Sequence, residues 1–286
     1  MLRNKSLWIR LGGIGLGLLA LSLVWLHAQQ QGAPLSMQKV TDGLWVIQSN
    51  DSGNVAVLPT SEGVLLVDDK FSQNAQEIVA KVKRVSDKPI KYILNTHQHG
   101  DHTGGNEWMM SNTPAEILIH KNARANMAAG KQPGLPQITY ADEAQVFLGG
   151  QEVSAHYFGR GHTNGDAVIL FPSERVLHTG DLFVNGSTPF IDYSAKGSLV
   201  EWDKTLDRVL QLDFDTVIPG HGAVAKKADL VKWRDTIVAL RTRAKAACEG
   251  GAADAGKRVQ ISDLGLQDTL GFFSRSMPGI CAELAN

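Results

Sequence analysis

The segment Thr96-His97-Gln98-His99-Gly100-Asp101-His102 places three histidines and an aspartate within six residues. Neutral imidazoles bind zinc-type cations well, and a carboxylate adds charge and a hard oxygen ligand. Such a cluster does little for a core, because imidazoles pack poorly there and charged ones repel. More donors follow. His162 stands in Gly159-Arg160-Gly161-His162-Thr163-Asn164-Gly165-Asp166, Asp181 in His178-Thr179-Gly180-Asp181-Leu182-Phe183, and His221 in Ile218-Pro219-Gly220-His221-Gly222. A zinc ion lowers the pKa of bound water to about 7. Hydroxide is then available near neutral pH to attack a polarised carbonyl or phosphoryl centre without a separate strong base.

Each donor group follows an apolar run of β type. Ile90-Lys91-Tyr92-Ile93-Leu94 precedes the first cluster. Residues 153–158, 176–179 and 216–218 precede or lead into the others. Five of the nine histidines therefore fall on strand-end loops. Loops on a rigid scaffold are where ligating groups are both held and open to substrate.

The motifs His97-x-His99-x-Asp101-His102, Gly161-His162-Thr163, Gly180-Asp181 and Pro219-Gly220-His221-Gly222 resemble, in order and spacing, those of the metallo-β-lactamase-fold zinc metallohydrolase superfamily. The resemblance covers most of the chain, and the ligand types are closest to those of hydroxyacylglutathione hydrolases. It implies an α/β fold, a four-layer αβ/βα sandwich with a dinuclear centre at one end. It implies that His97, His99 and His162 hold one metal, that Asp101, His102 and His221 hold a second, and that Asp181 bridges them. The implied cofactor is two Zn2+ ions, although imidazole and carboxylate suit iron and manganese as well. Asp101 is the expected catalytic residue, ligating the second metal and orienting the hydroxide. Asp166 reads as a hydrogen-bond partner of the site or as a solvated loop aspartate. His178 lies inside a strand and reads as packed, as do His120 and His156.

The remaining elements alternate. Residues 44–48, 55–59 and 63–67 read as short strands of a β-meander. Ser72 is placed to cap a helix with Ala75, Ile78, Val79 and Val82 on one face. Residues 115–119 read as a strand and 122–129 as a helix. Residues 130–136, with two prolines and two glycines, read as a loop at the rim of the site. Residues 167–171 read as a strand. Leu199, Trp202, Leu206, Val209 and Leu210 mark one amphipathic helix, and Leu230, Trp233, Ile237, Leu240 and Ala244 another.

The N-terminus reads as an export signal. Arg3, Lys5 and Arg10 precede an apolar run over residues 11–26, and Gln29-Gln30-Gln31 then turns polar. Residues 1–36 are expected to be a signal peptide or N-terminal membrane anchor with a short linker, and residues 37–286 the hydrolase domain. Cleavage after Ala28 is favoured over retention, because the run is short for a membrane span. Either outcome sends the domain out of the cytoplasm, to the periplasm. The only membrane contact expected is through an uncleaved leader. The net charge of −1 carries no basic block, which argues against nucleic acid as a partner. The expected partner is a small-molecule substrate. Cys248 and Cys281, the only cysteines, either pair and clamp the C-terminal segment or remain two thiols.

The leading function expected is hydrolysis of an ester, thioester, lactone or amide by a metal-bridging hydroxide. The alternative is a metallo-β-lactamase acting on β-lactam antibiotics. Many such enzymes carry Cys or Ser where Asp181 stands, with a nearby Lys or Ser to anchor the substrate carboxylate. Leu182-Phe183-Val184 offers neither. A third reading, a mononuclear iron enzyme resembling sulfur dioxygenases, is opposed by the complete second donor set. The glutathione-binding helical region of the hydroxyacylglutathione hydrolases is not evident in residues 249–286.

Overall fold

The strand Val64–Val67 shows how the layers form: Val64 and Leu66 enter one apolar cluster, while Leu65 and Val67 enter another. Side chains alternate across a strand, so a run that is apolar at every position has both faces buried. The computed structural model describes residues 33–251, 254–268 and 271–285. Two sheets pack face to face in it. The first has seven strands in chain order: β1 (Ser36–Lys39), β2 (Trp45–Gln48), β3 (Val55–Pro59), β4 (Val64–Val67), β5 (Ile90–Asn95), β6 (Glu116–His120) and β7 (Ile138–Tyr140). The second has six: β8 (Glu143–Leu148), β9 (Gln151–Tyr157), β10 (Ala167–Phe171), β11 (Val176–His178), β12 (Thr216–Ile218) and β13 (Ala225–Lys226).

β1 to β4 form the antiparallel meander that their turn residues predict. The sheet becomes parallel from β4 to β7. That change requires crossovers, which α1 (Ala75–Val82), α2 (Gly100–Thr103), α3 (Asn106–Asn112) and α4 (Lys121–Ala129) supply. α1 and α3 cover one face of the first sheet with Ala75, Ile78, Val82 and Met109. Between the sheets lie Val46, Leu58, Leu65 and Val67 from one side and Val153, Ala155, Ile169 and Phe171 from the other. The outer face of the second sheet is covered by α5 (Leu199–Val209), α6 (Lys227–Glu249), α7 (Ala255–Arg258) and α8 (Phe272–Leu284). Helices, sheet, sheet, helices is the expected four-layer α/β sandwich.

Several local expectations need correction. Ser72 does not cap α1; it opens a 3-10 turn, and Asn74 precedes the helix without a side-chain cap bond. Burial of Ala75, Ile78 and Val82 holds α1 in place instead. Residues 130–136 do not line the site. Arg124 Nε donates to Pro136 O at 2.7 Å, and Gly134 packs on Asn106 and Glu107. After residue 249 the described residues include the helices Ala255–Arg258 and Phe272–Leu284, which the sequence reading did not assign. Cys248 and Cys281 form a disulfide that ties α8 to the end of α6. The leader expected over residues 1–36 lies almost wholly outside the described residues. Among the described residues, no helix is long and apolar enough to cross a membrane.

Candidate metal centre

All seven predicted donors meet at the carboxyl ends of strands, where open α/β sheets bind ligands. β5 delivers His97, His99, Asp101 and His102, β9 leads to His162, β11 to Asp181 and β12 to His221. β9 and β11 both run antiparallel to β10, so they point the same way. β11 and β12 pair in parallel, which sets Asp181 beside His221.

Three groups of donor atoms each lie within 4.8 Å: His97, His99 and His162; His97, His102 and Asp181; Asp101, His102 and His221. Asp181 lies between the outer two. Its Oδ2 stands 3.6 Å from His162 Nε2, and its Oδ1 stands 3.2 Å from His102 Nε2 and 3.4 Å from His221 Nε2. Asp101 Oδ2 lies 3.2 Å from His221 Nε2 and 3.5 Å from His102 Nε2.

The far side of the rings explains which atoms face inward. His99 Nε2 donates to Asp192 Oδ2 at 2.9 Å, His102 Nδ1 to Asp68 Oδ2 at 2.8 Å, and His162 Nδ1 to Phe190 O at 2.7 Å. These bonds fix the ring orientations and turn His99 Nδ1, His102 Nε2 and His162 Nε2 inward, where a metal ion would displace the proton that the neighbouring carboxylates favour on His102. Yet His99 Nδ1 is 2.8 Å from His162 Nε2 and 3.1 Å from His97 Nε2. Lone pairs this close repel unless they share a cation. Asp181 Oδ1 is likewise buried without a hydrogen bond of good geometry. The donor set therefore fits metal ions.

Electrostatics agree. Burial pushes His97 well below the usual histidine range and His162 down to about 4, so both present neutral imidazoles. Burial also opposes charge on His102 and His221, but the Asp101 and Asp181 carboxylates outweigh it. They hold His102 well above the usual range and His221 at about 9. The second donor group thus draws positive charge strongly.

Glycines allow the close approach. A Cβ at position 53 would stand 2.3 Å from the His102 ring, and one at position 220 would stand 2.0 Å from Asp181 Oδ1. The loop before β3 laces the ligand loops together. Gly53 N donates to Asp101 O at 3.2 Å, and Asn54 N donates to Gly220 O at 2.7 Å.

Sequence reasoning missed Asp68, Asp192 and Lys70. Asp68 follows β4 at the same end of the sheet as the ligands. That position, at the carboxyl end of a parallel strand, was its available signal. Lys70 is fully buried, and its Nζ donates to Gly53 O, to Ser49 Oγ at 3.2 Å and to Ser52 Oγ at 3.3 Å. Asp166 is neither solvated nor bonded to a ligand ring. It is buried and accepts from the Thr163 amide at 2.8 Å and from the Thr163 hydroxyl, bracing the turn after His162. His178 is packed as expected, donating to Asn54 O at 3.0 Å. His120 is buried against the Tyr157 ring, and His156 bonds Ser154.

A cavity of about 620 Å³ opens over the centre. His99, Asp101, His162, Asp181 and His221 face it, with Ser49 to Asp51 on one side and Asn185 to Phe190 on the other. Among its described lining residues none is Lys or Arg. A shallower depression of about 650 Å³ around Thr60, Lys83 and Asp87 gathers no comparable donors.

Fold and site define a metal-dependent hydrolase. The metallo-beta-lactamase superfamily pattern matches residues 50–221, and the chain belongs to that superfamily. It is 28% identical over 218 residues to a metallo-beta-lactamase type 2 of Elizabethkingia meningoseptica, spanning 71% of this chain and 85% of the relative. It is 27% identical over 188 residues to the type 2 enzyme of Bacillus cereus, spanning 64% of this chain and 72% of the relative. Among solved structures, a metallo-beta-lactamase from Pontibacter korlensis shares the fold with a TM-score of 0.66 at 22% identity, over 72% of this chain and 99% of the other. The DIM-1 metallo-beta-lactamase matches with a TM-score of 0.64 at 20% identity, over 72% and 99%.

Proposed function

We propose that this chain is an exported β-lactam hydrolase that uses two zinc ions. The similarity to metallo-beta-lactamases across 72% to 85% of their length carries this reading over the ester or thioester hydrolysis expected first. His97, His99 and His162 would hold one ion and Asp101, His102 and His221 the other, with Asp181 placed between them. Bound there, such ions would supply a water acidic enough to ionise near neutral pH and Lewis-acid charge beside a substrate carbonyl. Asp101, whose Oδ2 is held 3.2 Å from His221 Nε2, would ligate the second ion and orient the nucleophile. Asp192, Asp68 and the Phe190 carbonyl keep the imidazoles turned inward.

A substrate carboxylate needs an anchor, which Leu182-Phe183-Val184 does not provide. One cation near this task is Lys70, buried behind the cavity wall. Its Nζ donates to Ser49 Oγ at 3.2 Å, and Ser49 lines the cavity. Ser49 Oγ also bonds Ser52 Oγ at 2.8 Å, so Lys70 acts on the site by orienting and polarising the Ser49–Ser52 hydroxyl pair.

The absence of Lys and Arg from the described cavity lining favours one second reading, a neutral ester or lactone as substrate. A kcat/KM comparison separates the two. Zinc-loaded protein lacking residues 1–28 is offered penicillins, cephalosporins, carbapenems, an aryl ester, a lactone and a thioester. The β-lactam reading predicts that a β-lactam has the highest kcat/KM and that chelation abolishes turnover. A lactone or ester outpacing every β-lactam would install the second reading instead. Export is tested by fractionation: the processed chain is expected outside the cytoplasm.

A further inference from the structure

The superfamily match ends at residue 221, yet a residue 51 positions later reaches the cavity: Phe272, the first residue of α8. Its half-buried ring lies 5.9 Å from that of Phe190, between ring centroids. Phe190 in turn lies 6.1 Å from the His99 ring and 5.8 Å from the His162 ring. An aromatic surface thus runs without a break from the metal centre to the C-terminal helix. Phe71 also lines this cavity. Beyond Phe272, the Arg275 guanidinium covers its ring at 4.9 Å.

α8 also sets the loop that carries Phe190. Asp268, just before the helix, accepts the Thr188 hydroxyl at 2.8 Å. Ser276 Oγ accepts the Ile191 amide at 3.0 Å. Glu283 accepts the Tyr193 hydroxyl at 2.8 Å, the Leu199 amide at 3.0 Å and the Ser198 hydroxyl. The disulfide holds α8 to α6. This same loop supplies Asp192 to His99 and the Phe190 carbonyl to His162. Its place is therefore fixed on one side by the metal ligands and on the other by α8.

We propose that α8 is a specificity element of this site, and that Phe190 and Phe272 form a subsite for an aromatic substituent next to the scissile bond. The proposal rests on the two-metal reading and adds the chemistry of the side chain the substrate carries there. Phe272 touches substrate directly. Asp268, Ser276 and Glu283 are positioning residues that act through the loop. A flat ring gains both apolar burial and offset or edge contact with two phenyl faces, whereas a methyl group gains little of either.

Calorimetry with two metal-binding probes tests it on the zinc-loaded chain. Phenylacetohydroxamate and acetohydroxamate share one chelating head and differ by a phenyl ring. The wild type is expected to bind the aryl probe at least about tenfold more tightly than the methyl probe. Phe272→Ala should cut that ratio several-fold, leaving acetohydroxamate affinity within about twofold and zinc content unchanged. Phe272→Leu, which keeps apolar packing should the alanine variant fail to fold, should reduce the ratio by about threefold. An aryl-to-methyl ratio near one in the wild type, or one unmoved by either variant, overturns the subsite while leaving the metal centre intact. If neither probe binds, the metal-centre reading fails and the subsite falls with it.

Discussion

Asp68 Oδ2 accepts from His102 Nδ1 at 2.8 Å and from the Thr96 hydroxyl at the same distance, while Asp68 Oδ1 accepts the Thr96 amide at 2.8 Å. One buried carboxylate therefore fixes a ring of the second donor group and the backbone that begins the His97 loop. Asp68 sits at φ +63°, a left-handed conformation that costs a non-glycine residue energy. Asp68→Ala frees the His102 ring and is expected to weaken binding at the second metal site by about 10- to 100-fold. Chelator competition measures this. Unchanged affinity would mean that His102 is held by packing alone.

Lys70 predicts a pH dependence of stability. Burial pulls its amine down to about 8 from an ordinary value of 10.5, against the Asp51, Asp101 and Asp68 carboxylates, which raise it. Below pH 8 the amine is charged in both states and the burial penalty is present in full. Between about 8 and 10.5 the unfolded chain holds the proton and the folded chain does not, so stability rises with pH there. The gain is about 2–3 kcal/mol. In urea unfolding of metal-free protein, the change in stability from pH 8 to pH 10 should be more positive in the wild type than in Lys70→Met by this amount, since the deprotonation of His221, held at about 9, lowers both alike. An equal pH trend in both proteins would assign it to another group.

Lys70 also bears on substrate choice. Lys70→Met leaves Ser49 without its buried donor, so KM for an anionic β-lactam should rise several-fold, while kcat/KM for a neutral ester changes little. An equal loss on both substrates would point to general disturbance of residues 49–53.

The disulfide closes a loop with a sequence separation of 33 residues. Replacing both cysteines by serine should cost about 3–4 kcal/mol of stability on the chain-entropy account. Denaturant titration of the oxidised and double-serine proteins gives the difference. Equal midpoints would show that α8 is held by its polar contacts and core residues instead.

The clustering of the donor residues was legible in the sequence because metal chemistry restricts residue types and spacing so tightly. His97, His99, Asp101, His102, His162, Asp181 and His221 all arrive at one place, each at the end of a strand whose apolar run was readable. The layers were legible for a related reason: β4 and β10 are apolar at every position, which demands cover on both faces. What orients the ligands was not legible. Asp192 and the Phe190 carbonyl lie on a loop with no periodicity, and their partners are close only in space. β8 was missed because its burial alternates on a partly exposed edge, with Phe147 pointing to solvent. α8 was missed because Pro278 interrupts an otherwise helical stretch. Its role at the cavity depends on where the disulfide and Glu283 place it.

Counting metal tests the two-metal centre most directly. Elemental analysis of protein purified without chelator should give about two equivalents of zinc-type metal per chain. Asp181→Ala, which removes the carboxylate between the two donor groups, should weaken both sites, so that neither holds a full equivalent after dialysis. A firm single equivalent in the wild type, unchanged in the variant, would contradict the two-metal centre and the role given to Asp181.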